Sequence, residues 1–386
     1  MTNSSTENST SSRVLPFLQA LVARRSLTPD DAGCCELIGE RLQKLGFQCE
    51  RLDAEGVTNL WATHGTGAPL LIFAGHTDVV PPGPREAWRS DPFEPTLRDG
   101  YLYGRGAADM KSGLAAMIDA AERFVQQHPD HVGTAALLVT SDEEGPARHG
   151  TRHVAELLRG RGVKPDYAIV GEATAEATVG DRIIAGRRGS LGCNLRILGR
   201  QGHVAYPLKA DNPIHRALPA LAELTQIEWD RGNAQIPPTS LQISNLHGGT
   251  GANNVIPGSA DVVFNFRYGT ASDAEGLKTR VTEILDRHLP HYEADWWHSG
   301  LPYSTSAGAL IEAADSAIEA LTGQPPRHFT GGGTSDGRFL APLGAQVIEI
   351  GPVNASIHKV DENTAVAELD PLSDIHLGIV QTLLRG

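Results

Sequence analysis

Two segments of the sequence carry residue pairs that could bind a metal ion and move protons. His76 and Asp78 follow one apolar run, and this H-x-D spacing lets the imidazole bind zinc while the carboxylate orients the ring. Glu143 and Glu144 follow a second apolar run. Neighbouring side chains of extended backbone point in different directions, so one glutamate can bind metal while the other accepts protons. Both segments are therefore candidate parts of one metal centre.

Three further positions extend this candidate set. Asp109 ends a glycine-bearing loop, Glu172 follows a third apolar run, and His358 lies in an Ile-His-Lys segment near the C-terminus. Taken singly, each has an ordinary explanation as a capping or solvated residue. Taken together, two histidines and three carboxylates can give two metal ions two terminal ligands each and one bridging carboxylate. One glutamate then remains to act as a base.

The elements that must position these side chains alternate between helix and strand. The expected elements of the first half are helices at 13–24, 31–45 and 111–127 and strands at 70–74, 135–139 and 167–170. This alternation is typical of an α/β layer with a largely parallel sheet. His76, Glu143 and Glu172 each lie just beyond the C-terminal end of one strand. Ligand sites of open α/β sheets lie at that edge, so the fold and the candidate metal centre agree.

The pattern changes in the middle of the chain. It predicts strands at 191–198, 240–246 and 260–268, helices at 213–229 and 271–288, and a final short strand before residue 297. This β-α-β-β-α-β order is the ferredoxin-like arrangement and predicts a separate, inserted domain. The α/β pattern resumes with helices at 308–321 and 369–384 and a strand at 346–350. We therefore predict a disordered polar leader at 1–12, an α/β catalytic domain at 13–187 and 301–386, and an inserted α+β domain at 188–300.

Composition and charge narrow the class of protein. A chain of 386 residues is longer than one hydrophobic core usually supports, which favours two domains. The formal charge of -13 argues against nucleic acid and against an anionic membrane as partners, because the net field repels phosphate. An apolar run long enough for a membrane span is missing from the sequence. The four cysteines show no CxxC spacing, and we expect reduced thiols in a cytoplasmic protein.

Read in chain order, the candidate segments resemble a known family. The motifs that carry the likeness are H-T-D at 76–78, GRGAADMK at 104–111, DEEG at 142–145, GE at 171–172 and IHK at 357–359. This order resembles the zinc aminoacylase and carboxypeptidase superfamily, the M20 metallopeptidases, over nearly the whole chain. Within that family, segments 75–81, 188–190, 251–257, 331–338 and 353–360 are similar to the succinyl-diaminopimelate desuccinylases.

The resemblance implies a site with two zinc ions, for which Co²⁺ can substitute. The implied ligands are His76 and Glu172 for one ion, Glu144 and His358 for the other, and Asp109 as the bridge. Glu143 would be the general base, and the peptide between Asp109 and Met110 would be cis. The implied fold is a zinc-peptidase-like α/β catalytic domain with an inserted domain that serves as lid and dimer interface.

The resemblance also implies how substrate is bound. His203 resembles the family's oxyanion-stabilising histidine, which the inserted domain of the partner subunit supplies across a homodimer interface. A small dicarboxylate amide requires a local basic and amide-rich pocket even in an acidic protein. Residues that match family positions for this role are Arg187, Ser190, Tyr206, Asn253, Asn254, Arg267, Thr334 and Asn354. Arg188 stands beside Arg187, and the sequence leaves open which of the two points inward.

The resemblance implies hydrolysis of the succinyl amide of N-succinyl-L,L-2,6-diaminopimelate, a step of lysine and peptidoglycan biosynthesis. One alternative is a related deacylase, such as acetylornithine deacetylase or an aminoacylase, with the same ligands and base. A second alternative, from another class, is an inactive relative kept as a binding or assembly subunit. The filled ligand positions and Glu143 argue against the second, and the substrate segments argue against the first.

Overall fold

The structure is a computed structural model that describes residues 11–385, so most of the predicted leader at 1–12 lies outside the described residues. The chain divides into two compact units. The first unit contains the described part of Met1–Ala185, with Thr305–Phe329 and Ser335–Gly386, and the second contains Gly186–Ser304 and Thr330–Thr334. The second unit thus includes a short segment at 330–334 that the sequence analysis assigned to the catalytic domain.

Nine α-helices are described between residues 11 and 385. In chain order they are α1 Leu15–Val22, α2 Cys34–Gln43, α3 Lys111–Gln127, α4 Thr151–Gly160, α5 Pro213–Gln226, α6 Ala274–His288, α7 Ala309–Thr322, α8 Gly337–Leu340 and α9 Leu369–Leu384. Among these helices, none combines the length and the apolar character that crossing a bilayer requires.

Residues 11–385 also contain eighteen β-strands. In chain order the first nine are β1 Gln48–Arg51, β2 Asn59–Thr66, β3 Leu70–His76, β4 Thr96–Arg98, β5 Tyr101–Tyr103, β6 Gly133–Thr140, β7 Tyr167–Val170, β8 Arg182–Arg187 and β9 Gly189–Leu198. The other nine are β10 Gly202–His203, β11 Ser240–Gly248, β12 Val255–Ile256, β13 Ser259–Tyr268, β14 Tyr292–Gly300, β15 Tyr303–Ser304, β16 Arg327–Thr330, β17 Gln346–Glu349 and β18 Asn363–Ala365.

The first unit is built on a mixed nine-stranded sheet, whose order runs β1-β2-β6-β3-β7-β17-β8 and ends with β15, while β16 also pairs with β8. Strands β6, β3, β7 and β17 run parallel, whereas β2 pairs with β6 and β17 pairs with β8 in antiparallel fashion. The expectation of a largely parallel sheet is therefore correct only for the four central strands. Strands β3 and β6 are buried along their whole length, as expected for parallel strands covered on both faces, and they read as continuous apolar runs.

Helices cover this sheet through one large core. Helix α3 packs against α1 and α9, and α9 packs against α7, so these four helices share a core with the central strands. Lys111, the first residue of α3, is fully buried, and its ammonium donates to Leu21 O at 2.8 Å and to Arg24 O at 3.0 Å. These carbonyls lie at the C-terminal end of α1, where helices leave carbonyl groups without intrahelical donors. The contact ties the start of α3 to α1.

The second unit is a four-stranded antiparallel sheet with two helices. Its order is β11-β13-β9-β14, which is the ferredoxin-like order expected from the sequence, and α5 and α6 pack against each other over its core. Asn212 and Asp273 cap the two helices, because their side-chain oxygens accept from backbone N–H groups of the first turns. The predicted fold class, an α/β protein with an inserted α+β region, is confirmed.

Candidate active site

The parallel register of the first unit brings three polar segments to one edge of the sheet. His76 is the last residue of β3 and pairs with Thr140, the last residue of β6. Ala74 pairs with Val170, the last residue of β7. The segments that carry Glu143, Glu144 and Glu172 start at these strand ends, at the C-terminal edge where α/β sheets bind ligands.

His76 stands between two carboxylates. Its Nε2 lies 3.4 Å from Asp109 Oδ1 and 3.5 Å from Glu172 Oε1, and it finds no hydrogen-bond partner among residues 11–385. The other ring nitrogen, Nδ1, lies 2.9 Å from the backbone carbonyl of Asp78 and therefore carries the proton. This tautomer leaves the Nε2 lone pair free and pointed between carboxylates, as in a metal-binding histidine.

A second group forms around His358. Its Nε2 lies 2.9 Å from Glu144 Oε1 and 3.3 Å from Asp109 Oδ2. His358 has a φ of 57°, a left-handed backbone conformation that is uncommon for a residue with a side chain. Asp109 therefore belongs to both groups, with one oxygen directed at each histidine. The peptide between Asp109 and Met110 is cis, which confirms the expectation drawn from the family resemblance.

The spacing of these atoms fits two metal ions that share Asp109. The two groups are His76, Asp109 and Glu172, and Asp109, Glu144 and His358, and within each group the ligand atoms lie within 4.8 Å of one another. Nitrogen and oxygen ligands at about 2.0–2.1 Å from a tetrahedral zinc lie about 3.3 Å apart. The observed contacts of 3.3 to 3.5 Å between Asp109, Glu172 and the two histidines match that separation.

The electrostatics of the side chains by themselves also favour a bound cation. Burial and the negative charge of Asp109 raise the pKa of Glu172 to about 7. Burial and the charge of Glu172 raise the pKa of Glu143 well above its usual range. Hydrogen bonds to Asp109 and Glu144 raise the pKa of His358 to about 10. These shifts express an excess of negative charge, which a divalent cation would offset.

Asp78 contacts His76 through both its carboxylate and its main chain. The carboxylate lies at the ion-pair distance of 3.6 Å from His76 Nδ1, and the backbone carbonyl accepts from the same nitrogen at 2.9 Å. The carboxylate oxygens accept from the backbone N–H groups of Glu143 at 3.3 Å and Glu144 at 3.1 Å. Asp78 therefore orients both the histidine and the two glutamates.

Two further buried carboxylates hold the loops of the site, and neither was among the residues predicted from the sequence. Asp142 accepts from the N–H groups of Ala147 at 3.2 Å and His149 at 3.0 Å, and so closes the loop that contains Glu143 and Glu144. Glu362 holds the loop before Asp109. Their positions in the sequence could have identified them, because Asp142 is the first residue of the DEEG motif and Glu362 lies four residues after His358.

The second unit gathers one set of predicted substrate residues at an exposed position. Strand β10 pairs with β12, so His203 lies opposite Val255, and the N–H of Val204 donates to Asn254 O at 3.1 Å. The rings of His203 and Tyr206 have centroids 5.7 Å apart. The structure therefore brings His203 and Tyr206 close to the segment of Asn253 and Asn254, and all four are solvent-exposed.

The other predicted substrate residues of this unit lie near the ends of β9 and β13. Ser190 pairs with Arg267 in the sheet, and its hydroxyl accepts from the side chain of Asn265 at 3.2 Å. Arg187 donates from Nη1 to the carbonyls of Gly331 at 3.3 Å and Gly333 at 3.2 Å, in the short segment that ends with Thr334. Asn354 lies in the first unit, where its N–H donates to Ala175 O at 3.1 Å.

The chain is similar in sequence to known proteins over most of its length. Residues 72–382 match the sequence profile of peptidase family M20/M25/M40. The chain is 57% identical over 373 residues to a succinyl-diaminopimelate desuccinylase of Thioalkalivibrio sulfidiphilus (strain HL-EbGR7), which covers 97% of this chain and 99% of that protein. It is 58% identical over 366 residues to a succinyl-diaminopimelate desuccinylase of Azoarcus sp. (strain BH72), with 95% and 96% covered.

Solved structures share the fold at low sequence identity. The aminopeptidase PepT of Bacillus cereus ATCC 10987 superposes with a TM-score of 0.79 at 22% identity, covering 96% of this chain and 98% of that one. The YXEP protein of Bacillus subtilis, a dinuclear metal-binding peptidase of the M20 family, superposes with a TM-score of 0.72 at 16% identity, covering 95% and 97%. At these identities the likeness concerns the fold.

Proposed function

The chain belongs to peptidase family M20/M25/M40, and we propose that it cleaves N-succinyl-L,L-2,6-diaminopimelate into L,L-diaminopimelate and succinate. The observation that carries the proposal is the identity of 57% and 58%, over nearly the whole chain, to relatives named succinyl-diaminopimelate desuccinylase. The product is a building block of lysine and peptidoglycan. The enzyme is an amidohydrolase, and the alternative of an inactive assembly subunit has no support in these names.

The proposed cofactor is a pair of zinc ions, with Co²⁺ as a substitute. His76 and Glu172 would hold one ion, Glu144 and His358 the other, and Asp109 would bridge them, as the two groups of ligand atoms suggest. When bound, the ions would supply Lewis acidity toward water and toward the amide carbonyl. Metal analysis of the purified protein tests this assignment, with an expected content of about two ions per subunit.

Glu143 is the proposed general base. Burial is the main cause of its raised pKa and keeps the carboxylate from full solvation, and a carboxylate in such surroundings is a common general base. It would accept a proton from the attacking water and return it to the departing amine of diaminopimelate. Hydrogen bonds from the Glu143 and Glu144 backbone to Asp78 hold this segment in place, which keeps the base at a fixed position.

The proposed substrate contacts use charge and amide groups of the second unit. Arg187 and Arg267 would bind substrate carboxylates, and Ser190, Tyr206, Asn253, Asn254, Thr334 and, from the first unit, Asn354 would complete the hydrogen bonds. Arg187 already donates to two backbone carbonyls, which fixes the direction of its guanidinium. These contacts would select a succinyl group over a smaller acyl group, because acetyl lacks the second carboxylate.

A hydrolysis assay distinguishes the proposed activity from that of related deacylases. N-succinyl-L,L-diaminopimelate and N-acetylornithine are offered separately to the zinc-loaded enzyme, to chelator-treated enzyme and to Glu143→Ala. We expect turnover of the succinyl substrate alone, and its loss in both treated samples. Preference for N-acetylornithine would contradict the proposed substrate but leave the metal chemistry intact. Turnover of neither substrate would contradict the proposed function itself.

We also propose a cytoplasmic homodimer in which His203 acts on the partner subunit's site. Large apolar side chains of the second unit are exposed, among them Leu208, at 96%, and Leu218, at 55%, which a dimer interface would cover. The free cysteines agree with a reducing compartment. Mixing His203→Ala with Glu143→Ala tests the trans arrangement. Random exchange should restore about a quarter of the wild-type activity, because each mixed dimer then has one complete site.

A further inference from the structure

Glu362 is a buried carboxylate at the centre of the loop that precedes Asp109. It is fully buried. Its Oε1 accepts from the backbone N–H groups of Ala108 and Asp109, each at 2.9 Å. Its Oε2 accepts from the Gly106 N–H at 3.0 Å and from Arg105 Nη1 at 2.6 Å. Every hydrogen bond described for this side chain is donated to it, as suits a carboxylate, and these donors counter the burial that raises its pKa.

The main chain of the same residue adds a further tie. Gly104 N donates to Glu362 O at 3.0 Å, and this bond continues the antiparallel pairing of β18 with β5, in which Asn363 lies opposite Tyr103. Gly106 has a φ of 83°, and a Cβ there would lie 2.6 Å from a methyl carbon of Val79. The loop therefore turns tightly around the carboxylate, in a conformation that favours glycine.

Glu362 connects two of the proposed metal ligands through a short path. It fixes the N–H of Asp109, whose carboxylate directs Oδ1 toward His76 and Oδ2 toward His358. It also lies four residues after His358, on the same segment of chain. A shift of Glu362 therefore moves the bridging carboxylate relative to both histidines.

We infer that Glu362 is the positioning residue of the bridging carboxylate and thereby sets the affinity of the protein for both metal ions. This inference rests on the proposed two-metal function. Residues that orient metal ligands from outside the coordination shell typically change metal affinity 10- to 100-fold when they are mutated. A merely structural role would instead lower the stability of the folded chain and leave the affinity of the folded fraction unchanged.

Asp119 offers a matched control in the first unit. It lies in α3, is buried, accepts from Arg13 Nε at 3.1 Å and from Ser373 Oγ at 2.6 Å, and has no proposed role in the site. Asp119→Asn and Glu362→Gln both replace a buried, arginine-paired carboxylate by an amide of the same size. In Glu362→Gln the amide NH₂ must face backbone N–H groups that previously met a carboxylate oxygen.

The experiment measures metal binding as well as hydrolysis. Full-length wild type, Glu362→Gln, Glu362→Asp and Asp119→Asn are stripped of metal and titrated with Zn²⁺ against a competing chelator. The absorption spectrum of each Co²⁺-loaded protein reports the coordination geometry, and thermal unfolding of the metal-free proteins reports stability.

For Glu362→Gln we expect a loss of Zn²⁺ affinity of about 10- to 100-fold and an altered Co²⁺ spectrum. For Asp119→Asn we expect lower thermal stability with wild-type affinity and spectrum. Glu362→Asp retains the charge but is one methylene shorter, so its affinity should fall between the two. If Glu362→Gln does not fold, the Zn²⁺ affinities of Glu362→Asp and Asp119→Asn are compared instead. A lower affinity in Glu362→Asp alone supports the positioning role, and equal affinities exclude it.

Two outcomes would overturn the inference or its premise, and they are distinguishable. If the wild-type enzyme is active and the folded Glu362 variants have its Zn²⁺ affinity and its Co²⁺ spectrum, the positioning role is excluded. Failure of the wild-type protein to bind Zn²⁺ and to hydrolyse the succinyl substrate would instead contradict the proposed function.

Discussion

His76 in the first unit and His203 and Tyr206 in the second are held in contrasting ways. In the first unit, His76 is 1% exposed and its neighbours are fixed by buried carboxylates such as Asp142 and Glu362. In the second unit, Tyr206 is 62% exposed, and the ring of His203, which is also exposed, accepts from the N–H of Ala205 at 3.1 Å. Buried side chains are coupled to folding, whereas exposed ones can change with little effect on stability. We therefore expect substitutions to affect metal binding and stability in the first unit and substrate recognition in the second.

The largest expected effect is that of Asp109→Asn. The amide has one oxygen where the carboxylate has two, so it cannot serve both groups of ligand atoms. Loss of one metal ion removes several kcal/mol of transition-state stabilisation, and kcat should fall by about 10³-fold or more. Metal analysis and steady-state kinetics measure both effects. Two retained metal ions together with wild-type kcat would show that the first unit does not depend on a bridging carboxylate.

The next effect should be that of His203→Gln in the second unit. Removal of one oxyanion-stabilising donor typically costs about 10² to 10³ in kcat. Because the side chain is exposed, metal content and melting temperature should remain those of the wild type. Kinetics, metal analysis and thermal unfolding of the same sample check all three. A large loss of stability would contradict the expectation that exposed side chains of the second unit contribute little to folding.

A smaller effect should separate Arg187 from its neighbour Arg188. Replacing a charge-assisted hydrogen bond to substrate costs about 1.5 kcal/mol, so Arg187→Lys should raise KM about tenfold with kcat nearly unchanged. Arg188→Lys is the matched control and should leave KM unchanged. The reverse pattern, with KM raised in Arg188→Lys alone, would assign the substrate contact to Arg188.

The smallest effect on activity is expected for His376, which should change stability alone. This residue of α9 is fully buried, neither ring nitrogen has a hydrogen-bond partner among residues 11–385, and burial lowers its pKa to about 3. Between pH 6.5 and pH 3 the unfolded chain binds a proton that the folded chain does not, so stability falls as the pH falls. Between pH 7 and pH 5 this costs about 2 kcal/mol.

His376→Met removes this titration and keeps an apolar side chain of similar size. We expect the loss of unfolding free energy between pH 7 and pH 5 to be smaller by about 2 kcal/mol than in the wild type, as measured by urea denaturation. Ile379→Val, on the same helix, is a control that should lower stability equally at both pH values. Equal pH dependence in wild type and His376→Met would show that the ring takes up its proton over the same pH range in the folded and the unfolded chain.

Long, strongly patterned elements could be predicted from the sequence. Helices α3 and α9 and strand β7 have the predicted bounds, because continuous burial or a clear apolar stripe identifies them. Short strands such as β1 and β18 were missed, since their mostly exposed or half-buried residues show no apolar run. They are formed by partners that are distant in sequence, which local pattern does not reveal.

The proposed metal ligands could be collected from motifs, but their supports could not. The structure brings the five ligands named in the sequence analysis into two groups that share Asp109. The contacts of Asp78 and Glu362 to backbone N–H groups have no signature in residue type or spacing, because any residue except proline can donate such a bond. A carboxylate that organises a loop therefore looks like a solvated one until the fold is known.

The first unit is made of separate segments of the chain, and this division determines which parts of the protein can fold during synthesis. Strand β7 ends at Val170, but its parallel partner β17 begins at Gln346, after the main segment of the second unit, 186–304, has been made. On the ribosome, the ferredoxin-like unit can therefore fold while the sheet of the first unit still lacks a strand. His358 and Glu362 emerge later still. A chain that terminates between residues 335 and 345 would have a complete second unit but would lack β17 and His358, so we expect such a fragment to be inactive.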